Sequence, residues 1–328
     1  MGKHIRKLGP KVWVASAFLV WLVAFGSMRA NIPQGETPMA TAEKSAVAVN
    51  PAQAQVAAGA TYVGQDTCIT CHDAVLEKYA DTPHHRAADP RTPEATKGCE
   101  SCHGPGSKHI EDPVSVKPLS FKTMTADQAT AACVTCHSKG EHAFWDGSKH
   151  DARGVTCTTC HSVHNPVSEK GQLKKETQIQ LCATCHRDKA SKVDRSGHMP
   201  VREGKMQCST CHNIHGSANE KLLRKGDSVT DSCVSCHADK RGPFLWEHAP
   251  SREGCVTCHD PHGSANDRML VSKPPALCQR CHIHTRHPST IYDAGAVATS
   301  VRVYARSCVT CHSAIHGSNH PAGNMFVR

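Results

Sequence analysis

Apolar positions are spread unevenly along the chain. Val12 to Phe25 is a 14-residue, mainly apolar run preceded by Lys3, Arg6, Lys7 and Lys11, with no acidic residue among them. A basic start followed by an apolar stretch shorter than the roughly 20 residues of a membrane-spanning helix is the pattern of a signal peptide. Residues 1–26 are therefore expected to be a signal peptide. Ala24-Phe25-Gly26 offers a small-x-small cleavage site and Ala40-Thr41-Ala42 a more distant one; the alternative is an uncleaved inner-membrane anchor. From Asn31 to Ala60 the chain is rich in Ala, Gln, Thr and Pro, with neither helical nor strand periodicity, so 27–60 is expected to be a flexible linker. No second long apolar run follows. Residues 61–328 are expected to hold short α-helices and irregular loops, with little or no β-sheet.

Composition sharpens the picture. Aromatic residues make up 4% of the 328-residue chain, and mean hydropathy is −0.44. A chain of this length normally builds one or two hydrophobic cores, and here the usual core material is thin. Something other than protein must supply interior surface. The 20 cysteines are too many for a reduced cytosolic protein without a cofactor role.

Every cysteine falls into one pattern, Cys-x-x-Cys-His. The pairs are Cys68 and Cys71, Cys99 and Cys102, Cys133 and Cys136, Cys157 and Cys160, Cys182 and Cys185, Cys208 and Cys211, Cys233 and Cys236, Cys255 and Cys258, Cys278 and Cys281, and Cys308 and Cys311. They end on His72, His103, His137, His161, His186, His212, His237, His259, His282 and His312. This is the attachment signature of haem c: two thiols bond the two vinyl-derived carbons of the porphyrin, and the histidine becomes the proximal iron ligand. Zinc ribbons and disulfide frameworks also use paired cysteines, but neither needs a histidine after every second one. A thioredoxin-like redox role fits one such pair, not ten. The expected cofactor is haem c, ten per chain.

First cysteines follow one another at intervals of 22 to 34 residues, about 27 residues per haem from Thr61 onward. That is too little chain to wrap each haem in its own domain. Neighbouring haems must share walls, and their faces must provide much of the apolar interior. The repeats are expected to stack into a linear array of haems.

Fifteen histidines remain besides the proximal ten, one of them His4 in the signal region. The chain reads as five two-haem units, each with one histidine in its spacer and one in its tail. Internal duplication is clearest where His215-Gly216-Ser217-Ala218-Asn219 matches His262-Gly263-Ser264-Ala265-Asn266. The spacer histidines are His84, His150, His198, His248 and His287; the tail histidines are His109, His164, His215, His262 and His316. These ten are the expected distal ligands. A tail histidine cannot easily reach the far face of the iron it follows, so it is expected to serve a neighbouring haem. His85, His142, His284 and His320 are expected to be non-ligands, with His84 against His85 left open. No methionine recurs in the repeat.

A haem enzyme needs an iron with an open or weakly held position. The surplus of distal histidines argues against one, and no motif ends in lysine. Fully bis-histidine iron suits low-potential electron transfer, so no catalytic residues are expected. The formal charge of +9 falls to +5 without residues 1–26. Ten oxidised haems, each with two propionates, would make the protein net acidic. The basic sequence therefore gives no argument for nucleic-acid binding.

The ten-motif count, the order of spacer and tail histidines, Lys240-Arg241-Gly242-Pro243, Leu245-Trp246-Glu247-His248-Ala249-Pro250 and His316-Gly317-Ser318-Asn319-His320-Pro321 resemble the decahaem cytochromes of the MtrA/PioA/DmsE type over nearly all of 61–328. The resemblance implies a periplasmic subunit associated with the outer membrane and inserted in a porin-like β-barrel. Its further implied partners are an extracellular multihaem cytochrome and periplasmic or inner-membrane cytochromes. The function it implies is electron conduction across the barrel, for metal reduction, dimethyl sulfoxide respiration or iron oxidation. A soluble periplasmic shuttle and a multihaem reductase are the competing expectations.

Overall fold

The structure is a computed structural model and describes residues 58–282 and 307–327. The signal-peptide segment, nearly all of the linker, and His284 and His287 lie outside the described residues. Among the described residues there are short α-helices, 3-10 turns and loops, and no strand; backbone pairing is confined to isolated bridges. The expected fold class, a multihaem cytochrome c with almost no sheet, is the one found.

The first helix, Gln65–Tyr79, is the longest described, at 15 residues. It carries Cys68 and Cys71 and breaks at His72, whose φ of −117° leaves the helical region. Its start is pinned by Glu100, a buried carboxylate that accepts hydrogen bonds from the backbone N–H groups of Val63, Gly64 and Gly106. These donors would otherwise be orphaned where the chain enters the helix.

Within the middle units the odd-numbered motifs end a capped helix. Thr125 caps Ala126–Val134 and Thr177 caps Gln178–Cys182, each in a reciprocal box with a glutamine three residues on. Ser228 accepts from Asp231 N–H to cap Val229–Val234. The even-numbered motifs occupy a single turn: Cys157–Cys160, Cys208–Cys211, Cys255–Thr257 and Cys308–Thr310. Each capped helix packs on the following single turn, Ala126–Val134 on Cys157–Cys160, Gln178–Cys182 on Cys208–Cys211, and Val229–Val234 on Cys255–Thr257. Hydrogen bonding thus sets the local conformation, and the pairing of motifs into units follows from it.

An ordinary hydrophobic core is missing. The buried apolar side chains among the described residues are Tyr79, Ala129, Trp145, Leu173, Leu223 and Val234, and no large side chain is completely buried. Ordering a residue costs on the order of 1–2 kcal/mol of backbone entropy, which so few buried groups cannot offset. The protein interior must therefore be completed by a large apolar group.

Successive units are docked by the glycine after each later tail histidine. Gly216, Gly263 and Gly317 all have φ between 118° and 136°, a conformation that disfavours a side chain. A Cβ at Gly216 would overlap the Phe144 carbonyl, and one at Gly317 would overlap the Phe244 ring. At Gly263 it would lie 2.5 Å from the Lys192 carbonyl oxygen and 2.6 Å from that of Ser196. In each case the neighbour belongs to the spacer of the preceding unit. The docking is reinforced by Asn213 Nδ2 donating to the Glu141 carbonyl (2.9 Å) and by the Lys192–Asp260 ion pair (2.6 Å). The substitution Gly263→Ala should destabilise the junction between the third and fourth units by about 2–4 kcal/mol. Limited proteolysis should then show new cleavage near 196–206, whereas Gly254→Ala, in extended backbone and with its nearest neighbour at 3.5 Å, should change much less.

Candidate haem-binding array

The motifs follow one another in an unbroken spatial order. Inside each unit the first thiols of the two motifs interact: Cys68 with Cys99, Cys133 with Cys157, Cys182 with Cys208, Cys233 with Cys255 and Cys278 with Cys308. Between units the second thiols are close enough to interact electrostatically: Cys102 with Cys136, Cys160 with Cys185, Cys211 with Cys236 and Cys258 with Cys281. Motif 1 therefore leads to motif 2, motif 2 to motif 3, and so on, with the contact alternating between first-thiol and second-thiol edges. Cys71 and Cys311, the second thiols of motifs 1 and 10, stand at the two ends of this order.

The two thiols of a motif differ in exposure. All ten first thiols are half-buried, whereas Cys71, Cys136, Cys185, Cys211, Cys236, Cys281 and Cys311 are exposed. The shared walls expected from the sequence therefore do not enclose these seven second thiols within the polypeptide. Exposure suits a sulfur that has to be reached by a porphyrin vinyl group.

Opposite each described proximal histidine, from His72 to His282, stands a second imidazole. The centroid separations are 6.3 Å for His72–His109, 5.8 Å for His103–His164, 6.0 Å for His137–His84, 6.1 Å for His161–His215 and 6.3 Å for His186–His150. They are 6.2 Å for His212–His262, 5.9 Å for His237–His198, 6.2 Å for His259–His316 and 6.2 Å for His282–His248. A metal held between two imidazoles by bonds of about 2 Å places the ring centres about 6 Å apart. The residues present fit a bis-histidine haem at each of these nine places.

The partners come from further along the chain than the sequence suggests. The first tail histidine, His109, faces His72 in its own unit. Each later tail histidine faces the even-numbered motif of the unit before it, so His164 faces His103 and His215 faces His161. Each described spacer histidine faces the odd-numbered motif of the unit after it, so His84 faces His137 and His150 faces His186. Partners are thus generally two motifs away, not adjacent. This rule was hidden in the sequence, because the histidine order is compatible with several pairings.

The geometry separates His84 from His85. His84 faces His137, while His85 stands edge-on to Tyr79 at 5.3 Å with its Nε2 3.6 Å from Glu94. His142 lies 5.6 Å from His137 and 4.2 Å from His215; the second contact is too close for an iron between the rings.

The imidazoles are also chemically prepared. Burial lowers the pKa of His84, His161, His164, His248, His262 and His316, and takes His215 down to about 4. Neutral rings keep the lone pair a metal requires. Five proximal rings, those of His103, His161, His212, His259 and His312, donate from Nδ1 to backbone carbonyls of Leu119, Gly171, Lys221, Arg268 and Met325 at 2.5–2.9 Å. That bond fixes the tautomer and leaves Nε2 free. Sequence reasoning missed these carbonyls, since backbone acceptors leave no residue signature. The one trace is the recurring Leu173, Leu223 and Leu270, which form bridges with His161, His212 and His259.

Comparison with known proteins agrees with this geometry. Residues 198–242 and 248–287 match the doubled CXXCH motif, and residues 99–185 match the model described as cytochrome c-type protein NrfB-like. The chain is 41% identical over 281 residues to the multiheme cytochrome MtrA of Shewanella baltica, covering 81% of each protein. The chain belongs to the MtrA family of multihaem cytochromes. Lower similarity extends to the C-type polyheme cytochrome OmcB of Geobacter sulfurreducens, at 26% identity over 52% of this chain and 28% of that protein. It extends also to the cytochrome c-type protein NrfB of Escherichia coli, at 27% identity over 37% of this chain and 64% of that one. This multihaem cytochrome carries haem c on its Cys-x-x-Cys-His motifs and serves electron transfer.

The two neighbours of His137 give a direct test. His142→Ala should leave the low-spin absorption spectrum of the holoprotein unchanged. Adding His84→Gly to it should open one carbon-monoxide-binding site in the reduced protein, and adding His85→Gly instead should open none.

Proposed function

We propose that the chain holds ten haems c in motif order and conducts electrons along them between the periplasm and the cell exterior. The observation that carries this reading is the unbroken run of nine opposed histidine pairs joined by thiol contacts between successive motifs. The tenth haem is assigned to Cys308, Cys311 and His312, with His287, the remaining spacer histidine, as the distal ligand. Bound haem c supplies one-electron iron centres, and bis-imidazole ligation lets them change charge with little rearrangement. The chain's own part is to hold each pair of rings in place, which it does, outside motifs 1 and 10, by taking them from different units.

The proposed setting is a porin-like β-barrel of the outer membrane, with the chain as its periplasmic electron-carrying subunit. Among the described residues no helix is long and apolar enough to cross a membrane. A chain with so polar a surface cannot face hydrocarbon and needs a sheath to cross it. A β-barrel with a polar lumen is suited to that. Membership of the MtrA family supports the assignment. Periplasmic or inner-membrane cytochromes would meet one end, and an extracellular multihaem cytochrome the other.

Denaturing mass spectrometry of the mature protein should show ten haem additions, and a count of eight or fewer would defeat the ligand assignment. Conduction is tested in liposomes holding an internal reduced dye, with an impermeant acceptor outside. Cytochrome with its barrel should oxidise the dye, and either alone should not. Equal rates without a barrel would identify a soluble shuttle instead.

A further inference from the structure

Two independent features of the ligand sets alternate with motif number. The first is the angle between the paired rings. At motifs 2, 4, 6 and 8 the rings are near parallel, at 23°, 20°, 5° and 16°. At motifs 3, 5 and 7 they are crossed, at 72°, 70° and 63°. The seven sites from motif 2 to motif 8 alternate without exception. Motifs 1 and 9, which flank that run, are near parallel at 24° and 19°.

The second feature is the carbonyl beneath the proximal ring. His103, His161, His212 and His259 each donate Nδ1–H to a backbone oxygen at 2.6–2.9 Å. Those of motifs 3, 5 and 7, His137, His186 and His237, have no such carbonyl among the described residues and are exposed, whereas the even-numbered proximal rings are half-buried. At motifs 4, 6 and 8 the carbonyl is delivered by a turn containing residues forced into the left-handed region. These are Gln172 (φ 50°), Lys221 and Leu222 (54° and 58°), and Arg268 and Met269 (56° and 55°). None is glycine, and each such residue costs on the order of 1–2 kcal/mol. Strain repeated at the same place in three units, each time aiming an oxygen at the same nitrogen, marks the turn as a device acting on the histidine.

Both features act in the same direction. A hydrogen bond from Nδ1–H to a carbonyl gives the ring imidazolate character, which makes Nε2 a stronger donor and stabilises ferric iron. Parallel rings direct their π-donation onto one iron d-orbital. They split it from its partner and place the ferric hole in the raised level. Crossed rings share the donation and lose that stabilisation. Resting on the ligand assignment above, we propose that the interior of this chain alternates two kinds of haem site. Carbonyl-clamped, parallel-ring sites at motifs 2, 4, 6 and 8 hold the lower reduction potentials. Crossed-ring sites at motifs 3, 5 and 7, whose proximal rings lack the clamp although the distal His150 of motif 5 donates to the Ile214 carbonyl, hold the higher ones. A partly reduced chain then keeps its electrons on alternate sites, where they repel one another least.

The ring angle supplies its own spectroscopic label, because crossed imidazoles give highly axial low-spin ferric signals and parallel ones give rhombic signals. Potentiometric titration of the full-length holoprotein, followed by electron paramagnetic resonance, tests the proposal. The oxidised protein should show an axial class integrating to three spins from motifs 3, 5 and 7, or four if the tenth site is also crossed. That class should disappear before the main rhombic class as the potential is lowered. An axial class that is absent, or that is reduced last, would overturn the alternation. High-spin iron or fewer than ten haems would instead defeat the ligand assignment on which it rests. Lys221→Pro, incompatible with the left-handed turn, separates the clamp from burial. With ten haems and low-spin iron retained, it should move one rhombic haem to an earlier point in the titration. If Lys221→Pro loses a haem, Leu222→Val, whose β-branched side chain disfavours the left-handed region, should displace the same turn and shift the same component. An unshifted titration in a fully loaded variant would remove the clamp from the account.

Discussion

Paired imidazoles about 6 Å apart constrain everything else in this molecule. Among the nine described pairs, only His72–His109 lies within a single unit. In the other eight, the two rings belong to successive units, so no unit supplies both rings at both of its sites. In the proposed ligation the chain is held together across its joints, which accounts for the sparse set of buried apolar residues. Haem faces replace the core that Leu, Ile and Phe would otherwise form. The glycines at 216, 263 and 317, each pressed against the preceding spacer, allow the backbone approach that such interlocking demands.

Much of this was legible in the sequence. Cys-x-x-Cys-His is a covalent requirement with fixed spacing, so all ten motifs, from Cys68 to Cys311, could be read directly. The fold class followed from too little chain per haem and too few apolar residues. The spacer and tail histidines were visible through duplication, and nine of those ten now stand opposite proximal rings. The partner of each was not legible. Pairing depends on how one unit docks on the next, through contacts such as Lys192–Asp260 and Asn213–Glu141 that carry no local periodicity. His142 illustrates the limit: its surplus status was readable, but its position against both His137 and His215 was not.

The backbone adds what side-chain types cannot encode. The carbonyls of Gly171, Lys221 and Arg268 do equivalent work although the residues share nothing chemically. What they share is a turn, placed nine or ten residues after the proximal histidine and bridged back to it by a leucine. Duplication copied the turn geometry along with the motif. It thereby copied a difference between the two proposed haem sites of each of the three middle units, so the repeat became an alternation from motif 2 to motif 8.

Ligation across units is the central claim, and His262 offers the most direct test because its ring faces that of His212 at 6.2 Å and 5°. Carbon-monoxide binding should be counted in the reduced holoprotein. The wild type should bind none, and His262→Gly should bind one per chain. A second chain should combine His262→Gly with serine at both Cys208 and Cys211, removing the haem of motif 6. It should bind none, because the iron exposed by losing His262 is the one removed. Persistent binding of one carbon monoxide in that second chain would show that His262 serves a different iron and would contradict ligation across the unit boundary.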